Sequence, residues 1–193
     1  MKLGCAYDED TDLGPVVNAG HKEKICNWIQ KGIDEGAELV LDGRNAVVPG
    51  YENGFFVGPT ILDHVTPEMT VGNREIFGPV TCIKRVKDYE EGIAVMNANP
   101  FANGSCIFTQ SGYYSRKFAM ETDGGMVGIN VGIPVPTAYF PFSGNKDSFF
   151  GDLHVLGKDG YRFFTRAKTV TTHWFDEAAG KRKVGTWEGS TEA

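Results

Sequence analysis

The sequence predicts an α/β fold built on an open, mostly parallel sheet flanked by helices. Segments with apolar residues at helical spacing alternate with short apolar runs of strand length, as expected when helices connect neighbouring parallel strands. Glycine and proline separate most of these segments. The 193 residues are enough for one domain with a hydrophobic core of its own.

Three helices are predicted from capping residues followed by apolar periodicity. Asn18 is expected to cap a helix that ends at Gly36, and Asp88 to cap a second helix that ends at Pro100. Ser111 is expected to cap a third, which a pair of glycines stops before the next apolar run. Short polar side chains favour these positions because they accept hydrogen bonds from the free N–H groups of the first helical turn.

Five short apolar runs are predicted to be strands, and they lie at residues 38–41, 55–62, 80–86, 104–109 and 126–130. Pro59 lies inside the second run, so that strand is expected to be an edge strand or irregular. Gly78-Pro79 changes the backbone direction directly before the third run, which is expected to be buried. Residues 157–165 indicate a short helical segment, and residues 168–174 alternate as a further strand.

Composition and charge argue against several classes of function. A hydrophobic share of 41%, with 12% aromatic residues, is typical of globular proteins. The net charge of −6 is interspersed, so no nucleic-acid or anionic-membrane surface is expected. The longest uncharged stretch, residues 124–144, is broken by glycines and prolines and is not expected to span a membrane. The four cysteines form no C-x-x-C pair, which favours reduced thiols in the cytoplasm or a matrix-like compartment and no metal site.

Glu75 and Phe77 stand on the connection that precedes the third strand, two positions apart. A carboxylate can accept hydrogen bonds from the paired hydroxyls of a ribose, and an aromatic face can lie beside a flat ring. The alternative is that Glu75 is an ordinary solvated loop residue and Phe77 part of the core, which is the commoner case for these residue types. The residues alone leave both interpretations open.

The stretch Glu75-Ile76-Phe77-Gly78-Pro79 resembles a signature of the aldehyde dehydrogenase superfamily, and four further landmarks of that family follow its order: Gly14-Pro15, Gly58-Pro59-Thr60, Pro141-Phe142-Ser143-Gly144 and Lys168-Thr169-Val170. The resemblance covers residues 13–174 and implies the C-terminal portion of that family's catalytic domain. It also implies NAD as cofactor, with Glu75 on the nicotinamide ribose and Phe77 beside the nicotinamide.

Residues 131–150 form a long apolar loop rich in proline and glycine, and such ordered loops are usually functional. The resemblance implies that this loop lines the entrance for a small aldehyde, with Phe142 nearest the reacting carbon and Ile133 and Pro134 in the same pocket. Ser143, where the superfamily has glycine, resembles the methylmalonate-semialdehyde branch, which uses coenzyme A as a co-substrate. The alternative for each proline is that it only braces the loop.

The resemblance also implies a division of the chain. Residues 1–167 correspond to part of the catalytic domain, and residues 168–176 to a strand that joins a neighbouring subunit's sheet in a dimer or tetramer. Residues 177–193 are charged and glycine-rich and are expected to be disordered.

The chemistry of aldehyde oxidation requires a cysteine thiolate and a hydride acceptor. The resemblance places both the nucleophile and the cofactor domain upstream of residue 1, and no Gly-x-Gly-x-x-Gly motif occurs here. We therefore expect no catalytic residue in this chain and no activity from it alone. Two alternatives remain: a non-catalytic assembly module of the same fold, and part of a general aldehyde dehydrogenase that releases free acid.

Overall fold

The computed structural model describes residues 1–174, which contain five helices and seven short strands. The helices are α1 (Ala19–Asp34), α2 (Thr70–Asn73), α3 (Tyr89–Ala98), α4 (Gly112–Glu121) and α5 (Gly157–Phe164). The strands are β1 (Glu38–Leu41), β2 (Thr60–Asp63), β3 (Val80–Cys82), β4 (Phe101–Ala102), β5 (Gly104–Ile107), β6 (Met126–Ile129) and β7 (Asn145–Lys146).

All three predicted helix caps are confirmed. The Asn18 side chain accepts a hydrogen bond from the N–H of His21 at 2.9 Å, and Asp88 accepts from Glu91 at 2.8 Å. The Ser111 hydroxyl accepts from the N–H of Tyr114 at 3.3 Å. Gly36, which follows the C-cap residue Glu35 of α1, has a φ of +107°, which a residue with a side chain rarely adopts.

The α/β class is confirmed, but the strands of the described residues form three separate groups. β2 pairs with β1 antiparallel and with β3 parallel; β5 pairs with β6 parallel; β4 pairs with β7 antiparallel. Within the described residues the strands thus form short pairings, of which β2–β3 and β5–β6 are parallel.

Four predicted strands, those at 55–62, 80–86, 104–109 and 126–130, are shorter in the structure than in the sequence analysis. The run at 55–62 becomes regular only at Thr60, because Pro59 has no N–H to donate to a ladder. The run at 80–86 keeps regular geometry only to Cys82, although the N–H of Ile83 still donates to the Leu62 carbonyl at 2.8 Å. Residues 168–174 form neither helix nor strand and are exposed, and residues 175–193, including the predicted tail, lie outside the described residues.

The hydrophobic core lies between α1 and the β1–β2–β3 sheet. Ile25 and Ile29 of α1 and Leu62 of β2 are fully buried there. By contrast, α5 buries none of its residues, and Phe164 is 82% exposed. No helix of the described residues is long and apolar enough to cross a membrane.

Candidate active-site cleft

The connection that carries Glu75 and Phe77 is held against the first turns of α1. The ring nitrogen Nε2 of His21 lies 2.7 Å from the carbonyl oxygen of Phe77, and the two rings meet edge to face with centroids 6.3 Å apart. Phe77 has a φ of +59°, a left-handed conformation that costs free energy for a residue with a side chain. Such strain persists only where the surrounding contacts impose it, so the position of this connection is defined by α1.

Glu75 is exposed, and its carboxylate has no hydrogen-bond or ion-pair partner within residues 1–174. It lines a cleft of about 630 Å³ together with Phe142 of the proline-rich loop. Arg74, Asn99, Asn103 and the aromatic residues Phe101 and Phe149 complete most of the remaining wall. The structure therefore brings two of the sequence-predicted site residues, Glu75 and Phe142, into one cleft.

Phe77, Ile133 and Pro134 lie elsewhere. The Phe77 ring is 75% exposed beside the cleft but does not line it. Pro134 lines a second hollow of about 470 Å³ between β6 and the proline-rich loop, and Ile133 is 76% exposed. In this structure Phe142 lines the cleft and Pro134 lines the second hollow, whereas Ile133 lines neither of the two. The common pocket expected for these three residues stays a prediction. The bracing role also has support, since Pro134 Cγ lies 3.3 Å from where a side chain on Gly104 would begin.

Lys146 contacts the backbone at Asn99 and lies next to Asp147, and both of these residues line the cleft. Its ammonium lies 2.6 Å from a carboxylate oxygen of Asp123 and donates to the carbonyls of Asn97 and Asn99, at 2.5 and 3.2 Å. These carbonyls stand at the end of α3, where a cation is favourable to the helix dipole. This arrangement fixes Asn99 in the cleft wall.

The chemistry of the cleft suits the ribose and ring of a nucleotide better than a metal. An unpartnered carboxylate can accept from two adjacent hydroxyls, and the aromatic walls can cover flat or apolar groups. The residues present therefore fit the nicotinamide-ribose end of a dinucleotide. Among residues 1–174 there is no cluster of three or more His, Cys, Asp or Glu side chains that could hold a metal ion.

None of the four cysteines lines the cleft. Burial raises the pKa of the Cys82 thiol, which disfavours the reactive thiolate. The Cys106 thiol lies 3.4 Å from the carbonyl oxygen of Gly132. Cys26 is on α1 and Cys5 is near the N-terminus.

Comparison with known proteins identifies the family. Residues 1–170 match the model of the aldehyde dehydrogenase family. The chain belongs to the aldehyde dehydrogenase family. It is 52% identical over 176 residues to the mitochondrial methylmalonate-semialdehyde dehydrogenase (acylating) of Arabidopsis thaliana, covering 91% of this chain and 29% of that protein. It is also 52% identical to malonate-semialdehyde dehydrogenase 2 of Oceanobacillus iheyensis, over 90% of this chain and 36% of that protein.

Solved structures place the fold in the same family. The crystal structure of methylmalonate-semialdehyde dehydrogenase from Oceanimonas doudoroffii superposes with a TM-score of 0.89 and 46% identity, over 94% of this chain and 37% of that chain. A Sinorhizobium meliloti protein solved in complex with NAD gives a TM-score of 0.89 and 44% identity, over 93% of this chain and 36% of that one. This aldehyde dehydrogenase chain thus spans about a third of the length of these relatives.

Sequence reasoning missed several residues of the cleft. Arg74 and Asn103 come from segments far apart in the chain, and each looks locally like an ordinary loop residue. Phe149, by contrast, lies in the loop at 131–150 that was expected to line the aldehyde entrance. For Arg74 the available signal is its position directly before the family landmark at 75–79.

Proposed function

We propose that this chain forms the nicotinamide-ribose and aldehyde-facing part of an NAD-dependent dehydrogenase that oxidises methylmalonate or malonate semialdehyde and transfers the acyl group to coenzyme A. The observation that carries the proposal is the shared cleft of Glu75 and Phe142, in which the carboxylate has no partner among the described residues. The names of the relatives support the substrate class, and the NAD complex of a close structural neighbour supports the cofactor.

In the proposed reaction the residues of this chain bind and orient. Glu75 accepts hydrogen bonds from the ribose hydroxyls and so sets the position of the attached ring. Bound NAD supplies the hydride acceptor. Phe142, with Phe101 and Phe149, covers the reacting aldehyde and excludes water, which would otherwise compete with coenzyme A for the acyl group.

In this proposal the chain is the C-terminal portion of a longer enzyme, and the upstream portion carries the remaining catalytic and cofactor-binding groups. That upstream portion supplies the cysteine nucleophile and the cofactor domain, including the binding site for the pyrophosphate. The complete enzyme is a homo-oligomer, dimer or tetramer, in which residues 168–176 join a neighbouring subunit's sheet. Its compartment is the cytoplasm, or the mitochondrial matrix as for the Arabidopsis relative.

The test is the Glu75→Gln variant of the complete enzyme, which removes a charge while keeping the size of the side chain. A hydrogen bond to a charged acceptor contributes roughly 1.5–3 kcal/mol, so NAD-dependent turnover should fall tenfold or more while the KM for aldehyde changes little. Glu23→Gln on the exposed face of α1 is the matched control, since Glu23 also has no partner in the described residues. Equal kinetics in the Glu75 and Glu23 variants would refute the ribose contact.

A second candidate is a non-catalytic assembly module, and the apolar face of α5 favours it. Tyr161, Phe163 and Phe164 are 59, 63 and 82% exposed, a large apolar surface for one short helix. Such a surface suits association with another chain whether or not catalysis occurs. Absence of NADH formation by the complete protein, together with stable assembly, would favour this candidate.

A further inference from the structure

His154 lies between the cleft wall and α5, and the reaction proposed above assigns it no role. Its Nε2 is 3.0 Å from the carbonyl oxygen of Gly144, and its Nδ1 is 3.5 Å from a carboxylate oxygen of Asp159. The centroid of its ring is 4.4 Å from that of Phe149, with the planes tilted by 42°. With a side chain only 20% exposed, His154 touches a backbone carbonyl, a carboxylate and an aromatic ring at once.

The neighbours of His154 belong to the wall of the cleft. Gly144 follows Phe142 by two residues, and Phe149 lines the cleft directly. The next residue, Val155, accepts a hydrogen bond from the N–H of Phe142 at 2.8 Å. The pair His154–Val155 therefore contacts the loop at Phe142 itself and again two residues later, at Gly144.

The backbone that carries this pair is itself tightly placed. Leu156 has a φ of +69°, which a residue with a side chain adopts only when the surroundings impose it. The N–H of Gly157 donates to the Ala138 carbonyl at 3.1 Å, and a side chain on Gly157 would begin 2.9 Å from the backbone of Phe140. The backbone that follows His154 is therefore held in place, and Asp159 in the first turn of α5 faces the His154 ring.

We propose that His154 is a positioning residue that holds Phe142 and Phe149 in the cleft wall, so that aldehyde binding depends on a side chain outside the cleft lining. The N–H donated to Gly144 fixes the loop after Phe142, and the ring face fixes Phe149. The kinetic consequence rests on the proposed function, whereas the structural consequence does not.

Three variants separate the donor from the ring. His154→Ala removes both, His154→Gln keeps a nitrogen donor at a similar reach, and His154→Phe keeps the ring face alone. The matched control is His64→Ala, which removes an exposed histidine that faces Glu38 at 3.6 Å, away from the cleft. Hydrogen exchange of the Phe142 N–H is measured in the isolated chain. The values of kcat and of the KM for aldehyde and for NAD are measured in the complete enzyme.

His154→Ala should speed exchange of the Phe142 N–H and raise the aldehyde KM by roughly three- to tenfold, the effect of one hydrogen bond, with the NAD KM little changed. His154→Gln should recover most of the loss, and His154→Phe part of it. A purely structural residue would lower kcat with the folded fraction and leave both KM values unchanged, which would overturn the proposal. Unchanged exchange in all three variants would also overturn it, and this result needs no turnover, so it is independent of the proposed function.

Discussion

Replacing Gly78 with alanine would test how closely the Glu75–Phe77 connection packs on α1. A Cβ at this position would lie 2.6 Å from Cδ1, 2.8 Å from Cγ1 and 3.2 Å from Cγ2 of Ile25. Ile25 is fully buried in the core, so its side chain has little room to withdraw. Overpacking of this kind typically costs about 1–3 kcal/mol.

The assay is thermal unfolding of the purified chain followed by circular dichroism. For a chain of this size, a loss of about 2 kcal/mol corresponds to a fall in Tm of roughly 4–8 °C. Gly160→Ala is the matched control, since no atom outside its chain neighbours and its own helix backbone lies within 4 Å of its Cβ position in helix α5. Alanine there should leave Tm unchanged or raise it, because glycine costs roughly 0.5–1 kcal/mol inside a helix. A Gly78→Ala chain as stable as the wild type would refute the close packing of this connection on α1.

Three further predictions concern acid stability, association and cofactor binding. The guanidinium of Arg85 and the N–H of His64 donate to Asp63 and hold the pKa of that carboxyl below its usual value. The ionised carboxylate therefore stabilises the fold at a pH above the unfolded-state pKa. This contribution disappears as the pH falls through the lower folded-state pKa. The stability gap between wild type and Asp63→Asn, measured by urea unfolding, should therefore shrink on acidification below about pH 4, and a constant gap would contradict the pairing. Size exclusion with light scattering should give a dimer or larger species at micromolar concentration, because α5 exposes its aromatic residues; a monomer would contradict this. Calorimetry with the isolated chain should show no saturable heat for NAD, since one carboxylate and aromatic walls offer little against an association cost of about 4–15 kcal/mol; a saturable isotherm would contradict this.

Much of the local structure could be predicted because its causes are local. Helix starts at Asn18, Asp88 and Ser111 could be predicted because each of these side chains caps its helix. Each cap accepts a hydrogen bond from an N–H only three residues later in the chain. The helix α2 and the strands β4 and β7 were missed, since elements of two to four residues carry no readable periodicity. The pairing of strands could not be predicted from the sequence either, because it joins residues such as Phe101 and Lys146 that lie far apart in the chain.

The candidate site was predictable only in part. Glu75 and Phe142 were found because they stand in family landmarks, and Phe149 lies in the loop expected to line the aldehyde entrance, whereas Asn103 reaches the cleft only through the fold. The strand expected at residues 168–174 is a different case. Its alternating pattern requires a neighbouring sheet to pair with, and in the single chain these residues are exposed and irregular. The pairing with another subunit stays a prediction.

Product analysis of the complete enzyme measures the proposed reaction itself. With malonate semialdehyde, NAD and coenzyme A, oxidation of the aldehyde carbon must yield one NADH for each new thioester, so chromatography should find acyl-coenzyme A in equal amount to NADH. Formation of NADH with only the free carboxylic acid would contradict acyl transfer to coenzyme A. No NADH from any aldehyde would contradict the assignment of this chain to an oxidising enzyme.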